Sequence, residues 1–261
     1  MKNHFNIILT EYCNANCSHC YMDNKNKKTL TREQIDIIID KISRNTKSVT
    51  LTGGEVFIFR DLLYYMIKKI HESVPDIKIE IESNGIYLYN LDNPVYELKK
   101  LKQLGVTSIR FSDDPFHEIG GINLKKVRDL KKLESDSTPI IKYLCQTKAV
   151  AIGKAENLNL KQILKANCMN KLSTKNEPYY FLDIDGNVYL CPWKCSLSVG
   201  NIFSDALVEI EENIKSEINK YILIGNIEEA ISFYTNIDLE IINKESKENG
   251  QCYLCKKYFK R

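Results

Sequence analysis

Three thiols fall within one short stretch, at Cys13, Cys17 and Cys20, directly after the apolar run Phe5–Leu9. Iron–sulfur clusters are normally held by four cysteine thiolates. A three-cysteine loop without a fourth thiol nearby therefore leaves one iron of a four-iron cluster open to a ligand that is not protein. The same thiols also suit a zinc ion completed by His19 or His4. Zinc ligands, however, usually arrive as C-x2-C pairs, and a C-x3-C-x2-C loop behind a strand departs from that pattern.

A second set of thiols lies far downstream: Cys168, Cys191, and the pair Cys252 and Cys255, with Cys195 as the competitor of Cys168. Four thiolates from separated segments complete either a cluster or a structural zinc site, and the ligand set alone favours zinc. Cys145 belongs to neither set; it reads as a small buried hydrophobe or as a hydrogen-atom donor. Gly53-Gly54-Glu55 follows a strand, where glycines let the backbone approach a ligand closely and Glu55 could accept bonds from an ammonium group. Ser83-Asn84-Gly85 ends another strand and Ser112 a further one. Arg110, Asp113, Asp114 and His117 cluster at the end of that last strand, where they either orient a polar substrate or pair among themselves.

These residues need a frame that brings strand ends together. Thr31 and Gln34 form a capping box, and Ile35, Ile38, Ile39 and Ile42 recur at helical spacing behind it. Short strands follow at 48–51, 77–82 and 106–111, with helices between them marked by Leu63, Met66, Ile67 and Ile70, then by Leu98, Leu101 and Leu104. A helix over 123–133 and strands at 139–144 and 149–152 continue the alternation. Strand alternating with helix predicts a parallel sheet with right-handed crossovers, but the pattern ends near residue 155, short of the roughly 250 residues of a closed eight-fold barrel. The expected fold is α/β: a partial, laterally open (β/α) barrel over residues 1–160 and a small α+β subdomain over 161–261. In the latter, 179–190 reads as a hairpin around Asp185-Gly186-Asn187, a helix spans 207–222, and Cys252 and Cys255 sit in a basic tail. Glu80 and Glu82 are unresolved: charge on one strand face suggests the barrel interior, whereas an inward Ser83 would send Glu82 outward.

Of the 261 residues, 43% are hydrophobic and 27% charged, as in an ordinary globular chain. The net charge of +3 is spread along the sequence and gives no case for nucleic acid. No run reaches the 18 or so apolar residues of a membrane span, and no signal peptide precedes the first strand. A cytoplasmic protein is expected, in which nine cysteines argue for metal or catalysis over disulfides.

The cysteine loop, with His19 in the aromatic slot before Cys20 and Tyr21 behind it, resembles that of the radical S-adenosylmethionine (SAM) superfamily. Gly53-Gly54-Glu55 resembles that family's methionine-binding motif, Ser83-Asn84-Gly85 its Thr-Asn-Gly, and Ser112 its polar SAM contact at the fourth strand. The resemblance implies a 4Fe–4S cluster on Cys13, Cys17 and Cys20, and SAM held by His19, Tyr21, Gly53, Gly54, Glu55, Ser83, Asn84, Ser112 and Gly153. The spacing from Gly186 to Cys191 resembles the SPASM or shortened Twitch subdomain, implying a second 4Fe–4S cluster on Cys168, Cys191, Cys252 and Cys255. It further implies flavodoxin or ferredoxin as reductant, reductive cleavage of SAM to a 5′-deoxyadenosyl radical, and net oxidation or bond formation on a small molecule or peptide, the latter with a separate leader-binding protein. Arg110, Asp113 and Cys145 are the candidates for work on the substrate. Two rival readings are a redox-neutral epimerase with a cysteine hydrogen donor and a non-catalytic zinc-binding scaffold.

Overall fold

The computed structural model describes residues 3–22, 27–42, 45–146, 148–150, 152–158, 177–194 and 196–259. Cys168 and Cys195 lie outside these residues. One eight-stranded sheet organises the chain, in the order β5-β4-β3-β2-β1-β6-β7-β8. Its strands are β1 (Asn3–Thr10), β2 (Thr46–Gly53), β3 (Lys78–Ser83), β4 (Val106–Ser112), β5 (Ile140–Leu144), β6 (Tyr179–Leu182), β7 (Asn187–Tyr189) and β8 (Gly200–Asn201). All pairings from β5 to β6 are parallel, and β7 and β8 add antiparallel. The sheet is open, a partial barrel as expected.

Helices α1 (Arg32–Lys41), α2 (Arg60–Ser73), α3 (Ile86–Tyr89) and α4 (Pro94–Gln103) connect the first four strands. Thr31 and Gln34 close the predicted capping box on α1, whose Ile35, Ile38 and Ile39 are buried, as are Leu63, Met66, Ile67 and Ile70 of α2. These stripes cover the outward side chains of the sheet, Val49, Leu51, Ile79, Ile81, Ile109 and Phe111, each fully buried. Side chains alternate across a strand, so Thr50, Thr52, Glu80, Glu82, Ser108 and Arg110 share the opposite face. Glu82, not Ser83, thus shares the interior face with Arg110, its register partner, which in turn pairs with Lys142.

After β4 come α5 (Pro115–Ile119) and α6 (Leu124–Asp129), the latter continued by a 3-10 turn to Leu133. The expected strand at 149–152 is absent among the described residues; Gly153–Asn157 forms a 3-10 turn instead. Beyond β8 the chain is helical: α7 (Leu207–Asn213), α8 (Glu217–Ile224), α9 (Ile227–Thr235), α10 (Leu239–Asn249) and α11 (Gln251–Phe259). The single helix expected over 207–222 is broken into two at Ile214–Ser216, and the expected basic tail is a helix with Cys252 and Cys255 buried on it. No helix among the described residues is long and apolar enough to cross a membrane.

Candidate active site

The loop after β1 and the ends of β2, β3 and β4 enclose a cavity of about 180 Å³. Cys13, Cys17 and Cys20, with His19 and Tyr21, form one wall; Gly53, Gly54, Ser83, Asn84, Arg110 and Ser112 contribute from the strand ends. The strand-end motifs read from the sequence and the cysteine loop therefore meet in one place.

Backbone stitching fixes the loop against β2. The Gly54 N–H donates to Thr10 O and the Glu55 N–H to Tyr12 O, both at 2.7 Å. The two chains run so close that a Cβ on Gly54 would stand 2.2 Å from Tyr12 O. The loop is held from two further sides. Asn16 N–H donates to Gly120 O (3.0 Å), and a Cβ on Gly120 would stand 2.6 Å from Cys17 Sγ. The Lys154 N–H donates to Cys20 O (2.9 Å) and its Nζ to Asn16 Oδ1 (2.7 Å). Gly153 does not line the cavity; it packs against Cys20 and Tyr21 with φ +61°.

Glu55 is 1% exposed and caps the 3-10 turn Val56–Phe59. It accepts bonds from Phe57 N–H, the Ser83 hydroxyl and Asn84 N–H. Burial pushes its carboxyl up to about 7, although those donors pull the other way. Asn84 turns its amide to the cysteine loop, donating to Asn14 Oδ1 (2.8 Å) with Cys13 Sγ at 3.9 Å.

Arg110 bridges two carboxylates, donating to Glu82 Oε1 at 2.9 Å and to Glu80. Thr52 donates to Glu82 Oε2 (2.8 Å), and Lys142 and Ser108 both donate to Glu80 Oε2 at 2.7 Å. Glu82, Arg110 and Thr52 face the cavity. Asp113 does not; Arg128 holds it in a two-oxygen contact at 3.0 Å. Cys145 is exposed, and its neighbours Leu144 and Gln146 line the cavity instead. Cys191, Cys252 and Cys255 are buried, at 9%, 9% and 6% exposure.

Trp193 is a cavity residue that the motifs did not single out. It follows Cys191 in a turn closed by the Lys194 N–H donating to Cys191 O, with Lys194 in the left-handed region at φ 53°. That turn carries a residue of the C-terminal part into the same cavity as the cysteine loop.

The profile of the Radical SAM superfamily matches residues 7–146, more than half of the chain. The chain belongs to the radical SAM superfamily. It is similar to 7,8-dihydro-6-hydroxymethylpterin dimethyltransferase of Methanocaldococcus jannaschii, 28% identical over 155 residues, 53% of this chain and 29% of that protein. It is also similar to a probable GTP 3′,8-cyclase of Sulfurisphaera tokodaii, 30% identical over 125 residues, 45% of this chain and 37% of that protein. The matched segments thus span well under half of these curated relatives. Among solved structures, BtrN in complex with AdoMet and 2-DOIA superposes with a TM-score of 0.60 at 14% identity, covering 87% of this chain and 89% of that one, a likeness of fold.

Membership of the superfamily implies a 4Fe–4S cluster and SAM, and the radical SAM loop fits the cluster better than it fits zinc. A tetrahedral zinc–thiolate site, with Zn–S of about 2.3 Å, holds its sulfurs about 3.8 Å apart. Among the described residues the group whose ligand atoms all fall within 4.8 Å of one another is His19, Asp114 and His117, not the three thiols. Each thiolate of a cluster binds its own iron, which suits the wider arrangement. Burial, with Cys13 and Cys20 close by, pushes the Cys17 thiol up to about 12, so a bound cation is what favours its thiolate form.

Proposed function

We propose that the chain is a radical SAM enzyme that carries out a net oxidation, or forms a bond, on a small molecule or peptide natural-product precursor. The observation that carries this reading is the meeting of Cys13, Cys17 and Cys20 with Gly53, Gly54, Ser83 and Asn84 around one cavity. When bound, the first cluster and SAM supply a 5′-deoxyadenosyl radical for hydrogen abstraction, and a second cluster supplies the acceptor for the remaining electron.

The chain's own residues hold and shield this chemistry. Cys13, Cys17 and Cys20 are the cluster ligands, and Asn84 steadies the loop through Asn14. Gly53 and Gly54 offer backbone at close range, while Ser83, Asn84 and Ser112 offer polar contacts to SAM, with His19 and Tyr21 in the wall beside them. Glu55 orients this surface from behind through Ser83 and Asn84. The Glu82–Arg110 pair presents fixed charge to the substrate. Met22, Leu144 and Val150 supply apolar wall, keeping water from a reactive intermediate. In residues 161–261 we assign Cys191, Cys252 and Cys255, with Cys168 or Cys195, to the auxiliary cluster, their burial supporting a ligand role. Flavodoxin or ferredoxin would deliver the electron, and a peptide substrate would arrive on a separate leader-binding partner.

Iron and sulfide in anaerobically reconstituted protein test this, compared with a variant in which Cys13, Cys17 and Cys20 are all Ala. About eight irons falling to about four support two four-iron clusters and the oxidative reading. About four falling to none remove the second cluster and with it the oxidation. Colourless, zinc-bearing protein under strict anaerobiosis sinks the enzyme reading.

A further inference from the structure

The cavity wall beside the cysteine loop carries a second set of ligand atoms. Asp114 caps α5, His117 stands one turn further along, and His19 lies between Cys17 and Cys20. Each places one ligand atom within 4.8 Å of the other two. His117 Nδ1 is 2.9 Å from Asp114 Oδ1. The rings of His19 and His117 stand edge to face, with centroids 4.6 Å apart at 78°. Asp114 is 1% exposed. Two polar atoms here are buried without a hydrogen-bond partner, Asp114 Oδ2 and His19 Nδ1, and His117 Nδ1 meets Asp114 Oδ1 in an ion-pair contact.

A buried donor or acceptor left without a partner carries its full desolvation cost. Two such atoms of metal-ligating type, beside a third ligand residue within reach of both, have a common explanation in an ion between them. A first-row ion with bonds of about 2.1 Å sets neighbouring ligands about 3.0 Å apart at right angles and about 3.4 Å apart at tetrahedral angles. The 2.9 Å separation of His117 and Asp114 matches the former. Two imidazoles and one carboxylate suit borderline divalent ions and leave coordination positions open.

We propose that His19, Asp114 and His117 form a mononuclear site for a first-row divalent cation of the Fe(II) or Zn(II) class, separate from the thiolate sites. His19 and His117 both line the cavity. The open positions of the ion therefore face whatever molecule the cavity holds, and an oxygen or nitrogen donor of that molecule completes the coordination. Phe116, stacked on the His19 ring with centroids 4.8 Å apart, covers the site from the side. The proposal requires only this fold and stands whether or not the radical chemistry does.

Cobalt(II) is the probe. The full chain with its iron–sulfur content reconstituted is dialysed against Co(II), freed of excess metal, and analysed for cobalt content and by cobalt K-edge X-ray absorption. About one cobalt per chain, ligated by nitrogen and oxygen with imidazole scattering, is expected. Asp114→Asn keeps a good helix cap and His117→Phe keeps a ring against His19, yet each should retain under about a tenth of the cobalt. Iron content read on the same samples reports whether the loop is intact. Wild-type protein that retains no cobalt, holds it through sulfur alone, or holds no more than the two variants overturns the proposal. Should a variant lose its iron as well, the wild-type spectrum decides alone: imidazole ligation without sulfur upholds the site, and any other ligation removes it.

Discussion

The Asn84 backbone N–H donates a 2.7 Å hydrogen bond to the buried carboxylate of Glu55, and this bond ties the end of β3 to the turn that ends β2. The Ser83 hydroxyl reaches both Glu55 oxygens at 3.0 and 3.1 Å. Two SAM-binding candidates thus share one anchor beneath the cavity surface.

Glu55 makes stability depend on pH. Its folded value of about 7 stands above the ordinary 4.5, so the protonated carboxyl is the form that folding favours. That contribution is complete below about pH 4.5 and is lost as pH rises through about 7, a difference on the order of 3 kcal/mol. Urea unfolding at about pH 5 and about pH 8 should show wild-type protein losing stability over this interval and Glu55→Gln losing less. Parallel behaviour of the two proteins would mean that Glu55 does not titrate there.

Gly54→Ala and Gly120→Ala should fail in different ways. The first forces a Cβ into Tyr12 O, a backbone atom with nowhere to go, and should cost about 2–4 kcal/mol of unfolding free energy. The second meets Cys17 at 2.6 Å from its Sγ and 2.9 Å from its Cα, on the cluster loop. It should lower iron per chain more than it lowers the melting temperature. Iron analysis beside thermal unfolding separates the two, and a Gly120→Ala protein with full iron would show that the loop has room to shift.

Removing the Arg110 side chain leaves Glu80 and Glu82 facing each other with Lys142 as the remaining cation. Breaking a buried ion pair from one side costs more than the pair contributes. With Arg110 one-third exposed (32%), Arg110→Ala should destabilise by about 2–4 kcal/mol. Adding Glu80→Gln and Glu82→Gln should restore most of the loss, measured as a mutant cycle in chemical denaturation. Additive losses would mean that the three side chains do not act as a unit.

Trp193 is the one tryptophan in the sequence and it lines the cavity, so intrinsic fluorescence reads the site directly. Titrating SAM into anaerobic protein should change the emission, and Trp193→Phe should abolish the signal without abolishing SAM binding by equilibrium dialysis. A flat titration in protein shown to bind SAM would place Trp193 away from the bound molecule.

What the sequence revealed was local. The capping box at Thr31, the isoleucine stripes, the cysteine loop and the strand-end motifs each announce themselves within a few residues, and together they gave the open α/β frame and one wall of the site. The inward face of Glu82 was not legible, because Ser83 and Glu82 compete for it and only the register with Arg110 decides. Asp113 looked like a site residue because it clusters with Arg110, Asp114 and His117 at the end of β4, yet its carboxylate pairs with Arg128 and stays out of the cavity lining. Trp193 enters the cavity through a left-handed Lys194, a conformation that sequence does not signal at a lysine. Charge in the last residues suggested a tail, whereas α11 buries Leu254 and Phe259 beside its cysteines.

The place of β1 in the sheet has a consequence for how the chain is made. It lies between β2 and β6, and β6 begins at Tyr179, 169 positions after β1 ends at Thr10. At about 5–20 residues per second, a ribosome needs roughly ten to thirty seconds to deliver that neighbour. Until then β1 has an unpaired edge flanked by Phe5, Ile7 and Leu9, side chains that end up almost wholly buried. Such an edge templates strand addition by other chains, and a pairing this distant closes slowly. Refolding from denaturant should therefore favour dilute solution, with yield falling as protein concentration rises.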